Sequence, residues 1–363
     1  MRCTSPGFRP GASAIRSRHG NPLLIALTGT PLINEVEDFR MIWKFLGWID
    51  DEKPTAALMS KLESLGLSPG DSGFFPEARQ CVIDMGIVRR RKEDVAKDIP
   101  ARRIADIPVE LDDELGRSIR ESEALLMQRL VERYDRIIAG RGDQPTGIDE
   151  DIVRLVAHSE VEESKSAETG DNVFAMVRRI GQAKATLAAD YTAQLAANVG
   201  KVVFFAKHID VMDAAEAHFA KAGIKTTSIR GDQSSTARTA AIDDFTNDPD
   251  VKVIVCSLTA AGVGINLQVA SNVVLAELSW TSAEQTQAID RVHRIGQELP
   301  VTAWRILAAQ TIDSRIADLI DSKAGLAARA LDGNDSEVVQ SESVQAAALM
   351  ALLTDALSAR INA

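Results

Sequence analysis

Cysteine is scarce: the 363 residues hold three, Cys3, Cys81 and Cys256, odd in number and far apart. That argues against both a disulfide framework and a zinc site, and leaves reduced thiols in a core as the plain reading. Long apolar runs are missing as well. Nothing approaches the roughly eighteen apolar residues in a row that a membrane span needs. Residues 1–20 carry arginines, glycines and prolines without the apolar centre of a secretory signal. The expectation is a soluble globular protein of the cytoplasm with no membrane partner. An excess of positive charge is absent too, since the net charge is −11. Any polyanion must therefore be met by local clusters. One lies between Ile87 and Arg103, where Arg89, Arg90, Arg91, Lys92, Lys97, Arg102 and Arg103 outweigh Glu93, Asp94 and Asp98. What the chain does have is length for two compact domains and a 45% hydrophobic content to build their cores.

Periodicity gives the order of elements. Residues 22–28 (PLLIALT) are a short apolar run closed by Gly29, Thr30 and Pro31, which predicts a buried strand. Phe39, Ile42, Trp43 and Leu46 then recur at helical spacing behind Asn34 as a cap. Glycines and prolines break residues 50–86 into short pieces. Residues 102–110 alternate like a strand, and 112–139 read as a long polar-rich helix. Between 140 and 170, eight carboxylates stand against three basic side chains, which predicts an exposed insertion or linker. Beyond 200, strands at 201–205, 226–229, 252–256, 272–275 and 301–307 alternate with helices at 210–222, 236–245 and 282–294. That alternation predicts an α/β, doubly wound parallel sheet. A terminal helix with Val344, Leu349, Leu352, Leu353 and Leu357 on one stripe should pack on the body.

The most informative stretch is QAIDRVHRIGQ, residues 287–297. On a helix, Gln287, Arg291 and Arg294 fall at i, i+4 and i+7 and share a face, while Ile289, Val292 and Ile295 occupy another that packs. Arginine suits the grip of terminal phosphates, because its planar fork stays charged and donates two parallel hydrogen bonds. A solvated basic face is the alternative for these residues alone. In open parallel sheets ligands bind beyond the carboxyl ends of strands. There the run 257–266 (SLTAAGVGIN) supplies Ser257 and Thr259 as donors to phosphate, and small residues such as Gly262 and Gly264 that let backbone N–H groups approach an anion. A tight turn accounts for the same glycines. After the strand at 226–229 come Arg230, Gly231 and a helix start at Ser234, Ser235 and Thr236, a natural site for a DNA backbone phosphate. Ordinary capping accounts equally for those hydroxyls.

These boxes, in this order, resemble the Swi/Snf-type DNA translocases of helicase superfamily two. The last box of that family reads QAxDRxxRxGQ, which Gln287, Ala288, Asp290, Arg291, Arg294, Gly296 and Gln297 match. The fifth, SxxAGGxGxNL, is matched by Ser257, Gly262, Gly264, Asn266 and Leu267, with Ala261 standing before a single glycine. Arg230, Gly231, Arg238 and Phe245 fit an HGxxxxxxR…F layout, with Arg230 in place of a smaller or neutral residue. LTGTP (27–31) resembles the third box at the end of the first lobe. IVRRRKEDVAKDIP (87–100) resembles the segment bridging the lobes, and Thr311, Ile312 and Asp313 open a brace helix with Ile316, Leu319 and Ile320 facing inward. LAELSW (275–280) is similar to the annealing-helicase branch.

The resemblance implies a RecA-like second lobe at 171–333, preceded by a remnant of the first lobe and the bridge (1–100) and a helical, acidic insertion and linker (101–170), and followed by a helical tail (334–363). It implies Arg291, Arg294 and Gln287 as catalytic residues, the arginines as fingers reaching ATP held by the other lobe. Gly262, Gly264, Asn266 and Asp290 would bind the nucleotide. Ser257, Thr259, Arg230 and Gly231 would contact the backbone of double-stranded DNA. Thr28, Gly29, Thr30, Arg90 and Arg91 would couple the lobes. No protein-held metal site is implied. No GxxxxGK(S/T) loop, which holds ATP in such motors, occurs in the sequence, and no Asp-Glu pair precedes LTGTP, where their acidic DExx box for Mg2+ stands. ATP with Mg2+ is thus expected to sit mainly on a first motor lobe, in cis or on a separate chain, and these residues alone are not expected to hydrolyse it. Nucleoid association would follow in a bacterium. Two other readings are a non-enzymatic DNA-binding or regulatory module derived from such a motor, and a fragment of an RNA-directed superfamily-two helicase.

Overall fold

The computed structural model describes residues 49–50, 53–54, 98–111, 114–141, 147–166, 172–259, 264–332 and 344–361. By contacts the chain divides into two units, residues 1–91 with 324–343 and residues 92–323 with 344–363. The described strands of the first unit are β1 (Ile49–Asp50) and β2 (Lys53–Pro54), paired antiparallel. The expected strand at 22–28, the helix behind Asn34, and the coupling residues Thr28, Gly29, Thr30, Arg90 and Arg91 lie outside the described residues.

The second unit runs β3 (Arg102–Val109), α1 (Glu114–Arg141), α2 (Glu150–Ser166), α3 (Val173–Val199), β4 (Val202–Ala206), α4 (Ile209–Lys221), β5 (Lys225–Ile229), α5 (Ser235–Asn247), β6 (Val251–Ser257), β7 (Asn272–Leu275), α6 (Ser282–Ile289), β8 (Val301–Ala308), the part of α7 (Ile312–Asp332) up to residue 323, and α8 (Val344–Ile361). Six strands form one sheet in the order β3-β8-β7-β4-β6-β5, and every pairing is parallel. This is the doubly wound α/β sheet expected from the alternation.

The sheet forms because its central strands are apolar on both faces, as strands covered by helices must be. Val203, Phe205, Ile254, Cys256, Val273 and Leu275 point to one side, against Phe245 of α5 and Ala288 and Ile289 of α6. The alternate residues Val202, Phe204, Val253, Val255 and Val274 point to the other, against alanines of α3 and Met212 and Phe219 of α4. Burial pushes the Cys256 thiol well above its ordinary pKa, so it packs as an inert small side chain.

Two segments differ from expectation. Residues 140–170 are not simply an exposed linker: α2 occupies most of them and buries Ile152, Val153, Val156, Ala157 and Val161 in a helical core with α1 and α8. Its carboxylates line the outer faces of the helix, and buried Glu160 is satisfied by Arg129 at 2.7 Å. The count of carboxylates concealed an i, i+3, i+4 apolar stripe. Helix α3, capped by the Asn172 side chain and closed by Gly200 at φ 86°, carries little periodic contrast, because seven of its ten buried residues are alanine, Gly181, Lys184 or Thr192. By length and composition α8 is apolar enough to cross a bilayer, yet Val344, Leu349, Leu352, Leu353 and Leu357 are buried in the helical core. It packs on the body, as its stripe predicts.

Ionic ties fasten the sheet's edge. Arg305 of β8 donates to Asp106 of β3 at 2.6 and 2.8 Å and to Asp321 of α7 at 2.8 Å. The Lys184 ammonium, 1% exposed, pairs with Asp313, 2% exposed, and donates to the Ile306 carbonyl at 2.6 Å. Removing one partner of such a pair leaves a buried charge uncompensated. Asp313→Ala is therefore expected to destabilise this unit by about 3–5 kcal/mol. The midpoint of urea unfolding checks it; a loss under about 1 kcal/mol would contradict the assignment.

Candidate nucleotide and nucleic-acid site

Parallel strands deliver every following loop to one edge of the sheet, the carboxyl edge. The connections of β4 and β7 depart in opposite directions, so their ends mark the switch point of the sheet. Glu277, just past β7 and 3% exposed, lies there. Its carboxylate accepts the backbone N–H groups of Lys207 at 2.7 Å and His208 at 2.9 Å, and Nδ1–H of His208 at 2.6 Å. The N-cap residue of α4 is His208, which makes no capping bond of its own, so Glu277 caps that helix from another strand. Gly181 of α3 permits this approach, because a Cβ there would stand 2.3 Å from Glu277 Oε1. The Lys207 ammonium lies over the Trp280 ring, 5.9 Å from its centroid. Burial holds its pKa below the usual lysine range against the pull of Glu284 and Glu277. Sequence reading missed this cluster; its one signal was a lone carboxylate between the apolar residues Ala276 and Leu278.

Of the residues expected on the nucleic-acid side, Ser257 ends β6 and Thr259 lies just past it, with hydroxyls 2.8 Å apart. Gly231 is a turn residue whose carbonyl accepts Arg238 Nη2 at 2.7 Å. Arg230 departs from expectation. Its guanidinium is held by Asp213 at 2.7 Å and Glu216 at 2.9 Å, both on α4, which leaves it a clamp between β5 and that helix. Ser234 caps α5 by accepting Ala237 N–H at 3.2 Å.

The two arginines lie elsewhere. Helix α6, capped by Thr281, ends at Ile289, so Arg291 and Arg294 are not on a continuous helix with Gln287 as the spacing predicted. In a helix the carbonyls of Arg291 and Val292 would accept N–H groups four residues on. Here the Arg291 carbonyl takes Leu267 N–H at 2.9 Å and the Val292 carbonyl takes the Gln297 side chain at 3.2 Å. The chain turns instead, with Gly296 at φ 96°. Ile289 and Val292 pack as expected, but Ile295 is 72% exposed. The turn sits beside the residues that enter β3 and β7: His293 Nε2 donates to the Pro100 carbonyl at 2.7 Å, and Gln297 Nε2 reaches the Ala270 carbonyl at 2.9 Å. The residues expected at one site thus divide between opposite edges of the sheet, with α6 running from one to the other.

Within the turn, Arg294 Nη1 donates to the Ile265 carbonyl at 3.0 Å. Arg294, Asn266, Gln268 and Ile295 line a cleft of about 450 Å³. Arg291 Nε is buried with no hydrogen-bond partner among the described residues. Burial first, then the neighbouring Arg294, lowers its pKa, opposed by Asp290. Among the described residues neither arginine forms a salt bridge with a carboxylate. Asp290, expected at the nucleotide, pairs instead with Arg102 of β3 at 3.3 Å. Asn266 and Gly264 are exposed, Gln287 is half-buried, and Gly262 lies outside the described residues. Among the described residues no group of three or more His, Cys, Asp or Glu is placed to hold a metal ion.

The glycines of this region differ in need. An L-residue at φ 96° is strained, whereas a Cβ at Gly264 would meet open space. Gly296→Ala is expected to destabilise the second unit by roughly 1–2 kcal/mol and Gly264→Ala by less than about 0.5. Thermal unfolding of both variants checks the difference; equal effects would contradict it.

Residues 183–296 match the family model for the helicase conserved C-terminal domain. The helicase-like transcription factor CHR28 of Arabidopsis thaliana is 38% identical over 130 residues, covering 36% of this chain and 13% of that protein. An ATP-dependent helicase of Mycoplasma pneumoniae is 28% identical over 85% of this chain and 28% of its own length. The human DNA annealing helicase and endonuclease ZRANB3 is 27% identical over 92% of this chain and 30% of its own. The chain thus spans less than a third of the length of these relatives. Residues 183–296 thus carry a helicase conserved C-terminal domain, and the order of the boxes and the all-parallel sheet fit the resemblance to the Swi/Snf-type helicases of superfamily two.

Proposed function

We propose that this chain is the C-terminal half of an ATP-dependent double-stranded DNA translocase, in which Arg291 and Arg294 meet the terminal phosphates of ATP and the carboxyl-edge loops meet the DNA backbone. The observation that carries the reading is Arg291 itself, a partly buried guanidinium whose Nε has no hydrogen-bond partner, and which pairs with no carboxylate, among the described residues. Arginine does not release its proton in proteins, so burial leaves its charge in place and awaiting an anion. A polyphosphate has the matching charge and geometry. ATP supplies the γ-phosphoryl group, on whose oxygens charge is redistributed during transfer. Arg291 and Arg294 stabilise that charge, while Asn266 and Gly264 shape the adjoining loop and Gln287 stands on the last turn of α6. The nucleotide-holding lobe, in cis or as a separate chain, holds ATP with Mg2+ through the Walker loop and acidic box that these residues lack. Ser257, Thr259 and the backbone at Gly231 are the donors toward DNA phosphates, and Arg230 positions α4 beside them. The relative named as a DNA annealing helicase supports duplex DNA as the partner. Such a protein works in the cytoplasm, at the nucleoid in a bacterium.

Phosphate release measured on the 363-residue chain alone is expected to show no DNA-stimulated turnover. Combined with a lobe carrying the Walker loop and acidic box, it is expected to turn over ATP, and Arg291→Ala to lower kcat by roughly three to five powers of ten. Turnover by the chain alone, or full activity of the variant, would contradict the reading. Failure of the completed motor to hydrolyse ATP with DNA would favour a non-enzymatic DNA-binding module; preferential stimulation by RNA would favour an RNA-directed helicase. Duplex binding followed by fluorescence anisotropy should weaken equally for unrelated sequences as salt rises, with a log–log slope near −0.9 per phosphate neutralised. A slope near zero would exclude backbone recognition.

A further inference from the structure

The side chain of Gln297 is 7% exposed and makes more hydrogen bonds than any role in a solvated loop requires. Its Nε2 faces three carbonyls, Gln268 at 3.0 Å, Ala270 at 2.9 Å and Val292 at 3.2 Å. With two hydrogens on that nitrogen, one bond is shared between acceptors. Its Oε1 accepts the N–H groups of Glu298 and Leu299, each at 3.0 Å. One amide thus joins the loop that leads into β7, the turn bearing the arginines, and the first residues leading to β8. Beside it, Leu267 N–H donates to the Arg291 carbonyl at 2.9 Å and Arg294 Nη1 to the Ile265 carbonyl at 3.0 Å. The Val292 carbonyl that Gln297 takes is one a continuing helix would need.

From this geometry we infer that Gln297 is a positioning residue: it fastens the Asn266 loop and the Arg291–Arg294 turn into one rigid body, so that the arginines are held in the turned conformation before any nucleotide arrives. The inference rests on the reading of the arginines as phosphate-binding residues, but the staple itself can be observed without them. No contact of Gln297 with nucleotide is required. Its amide acts only through the backbone that carries Asn266 and the two arginines.

The test is hydrogen–deuterium exchange on the full 363-residue chain. In Gln297→Met, peptides covering 264–270 and 291–299 are expected to exchange about tenfold faster, while β4, β6 and α3 keep their protection. Gln297→Glu retains an acceptor oxygen and loses the donor, so the amides of Glu298 and Leu299 stay protected while that of Leu267 does not. This second variant keeps the test decisive where the first fails to fold. Unchanged exchange at 264–270 in a folded variant overturns the inference. So does an equal loss of protection throughout the sheet in both variants, which would make Gln297 an ordinary stability residue. In the completed motor, Gln297→Met is expected to lower kcat about tenfold with KM for ATP held within about twofold, since a displaced arginine weakens the transition state and spares ground-state binding. A rise in KM with unchanged kcat overturns the positioning role. Arg291→Ala separates the two layers: normal hydrolysis by that variant refutes the phosphate reading while leaving the exchange result standing, and abolished hydrolysis with unaltered exchange in the Gln297 variants refutes the staple alone.

Discussion

A sheet whose strands all run one way has two chemically different edges, and this asymmetry governs everything else in the second unit. Each strand must be entered at one edge and left at the other, so each connection has to carry the chain back across a face of the sheet. Helices make the return after β4, β5 and β7, while the described residues between β6 and β7 hold no helix, and the helical apolar stripes cover β4, β6 and β7 on both sides. The loops leaving β4, β6 and β7 gather Lys207, His208, Ser257, Thr259 and Glu277 at the carboxyl edge. The returning segment α6 then brings the chain to the opposite side, where Arg291 and Arg294 turn beside the entries to β3 and β7. One eight-residue helix, about 12 Å long by its rise, therefore separates the polar cluster around Glu277 from the arginine turn.

Both places are organised by buried polar side chains that satisfy backbone groups. Glu277 caps α4 from across the sheet, and Gln297 gathers five backbone groups around the arginine turn. The carboxylates that do pair with arginine have structural work: Asp106 and Asp321 with Arg305, Asp213 and Glu216 with Arg230, Asp290 with Arg102. Among the described residues Arg291 has no such partner. Such a separation suits the proposed phosphate contact, because an arginine already neutralised by a carboxylate would have to break that pair before meeting an anion.

Much of the fold was legible because its signals are local. The apolar runs KVVFF and KVIVC can only be strands buried on both faces, and the stripe of the terminal helix had to be covered. The arginine box was legible by its residue types. What was not legible followed from competition among backbone partners. Residues 287–297 have helical spacing, yet Leu267 and Gln297 take carbonyls that a helix would use, and the helix ends at Ile289. Arg230 looked like a free cation until α4 brought Asp213 and Glu216 to it. The alanine-rich face of α3 carried too little contrast to be noticed, and the carboxylates of α2 masked its apolar stripe.

The sequence by itself determined the alternation of strand and helix, the parallel sheet and the inventory of boxes, since these depend on side chains within a few residues of one another. Only the tertiary structure decided which charges are already paired, where the helix before the arginines stops, and which edge of the sheet each box occupies. Those outcomes turn on groups such as Arg102 and Asp290, 188 residues apart, whose meeting no local pattern records.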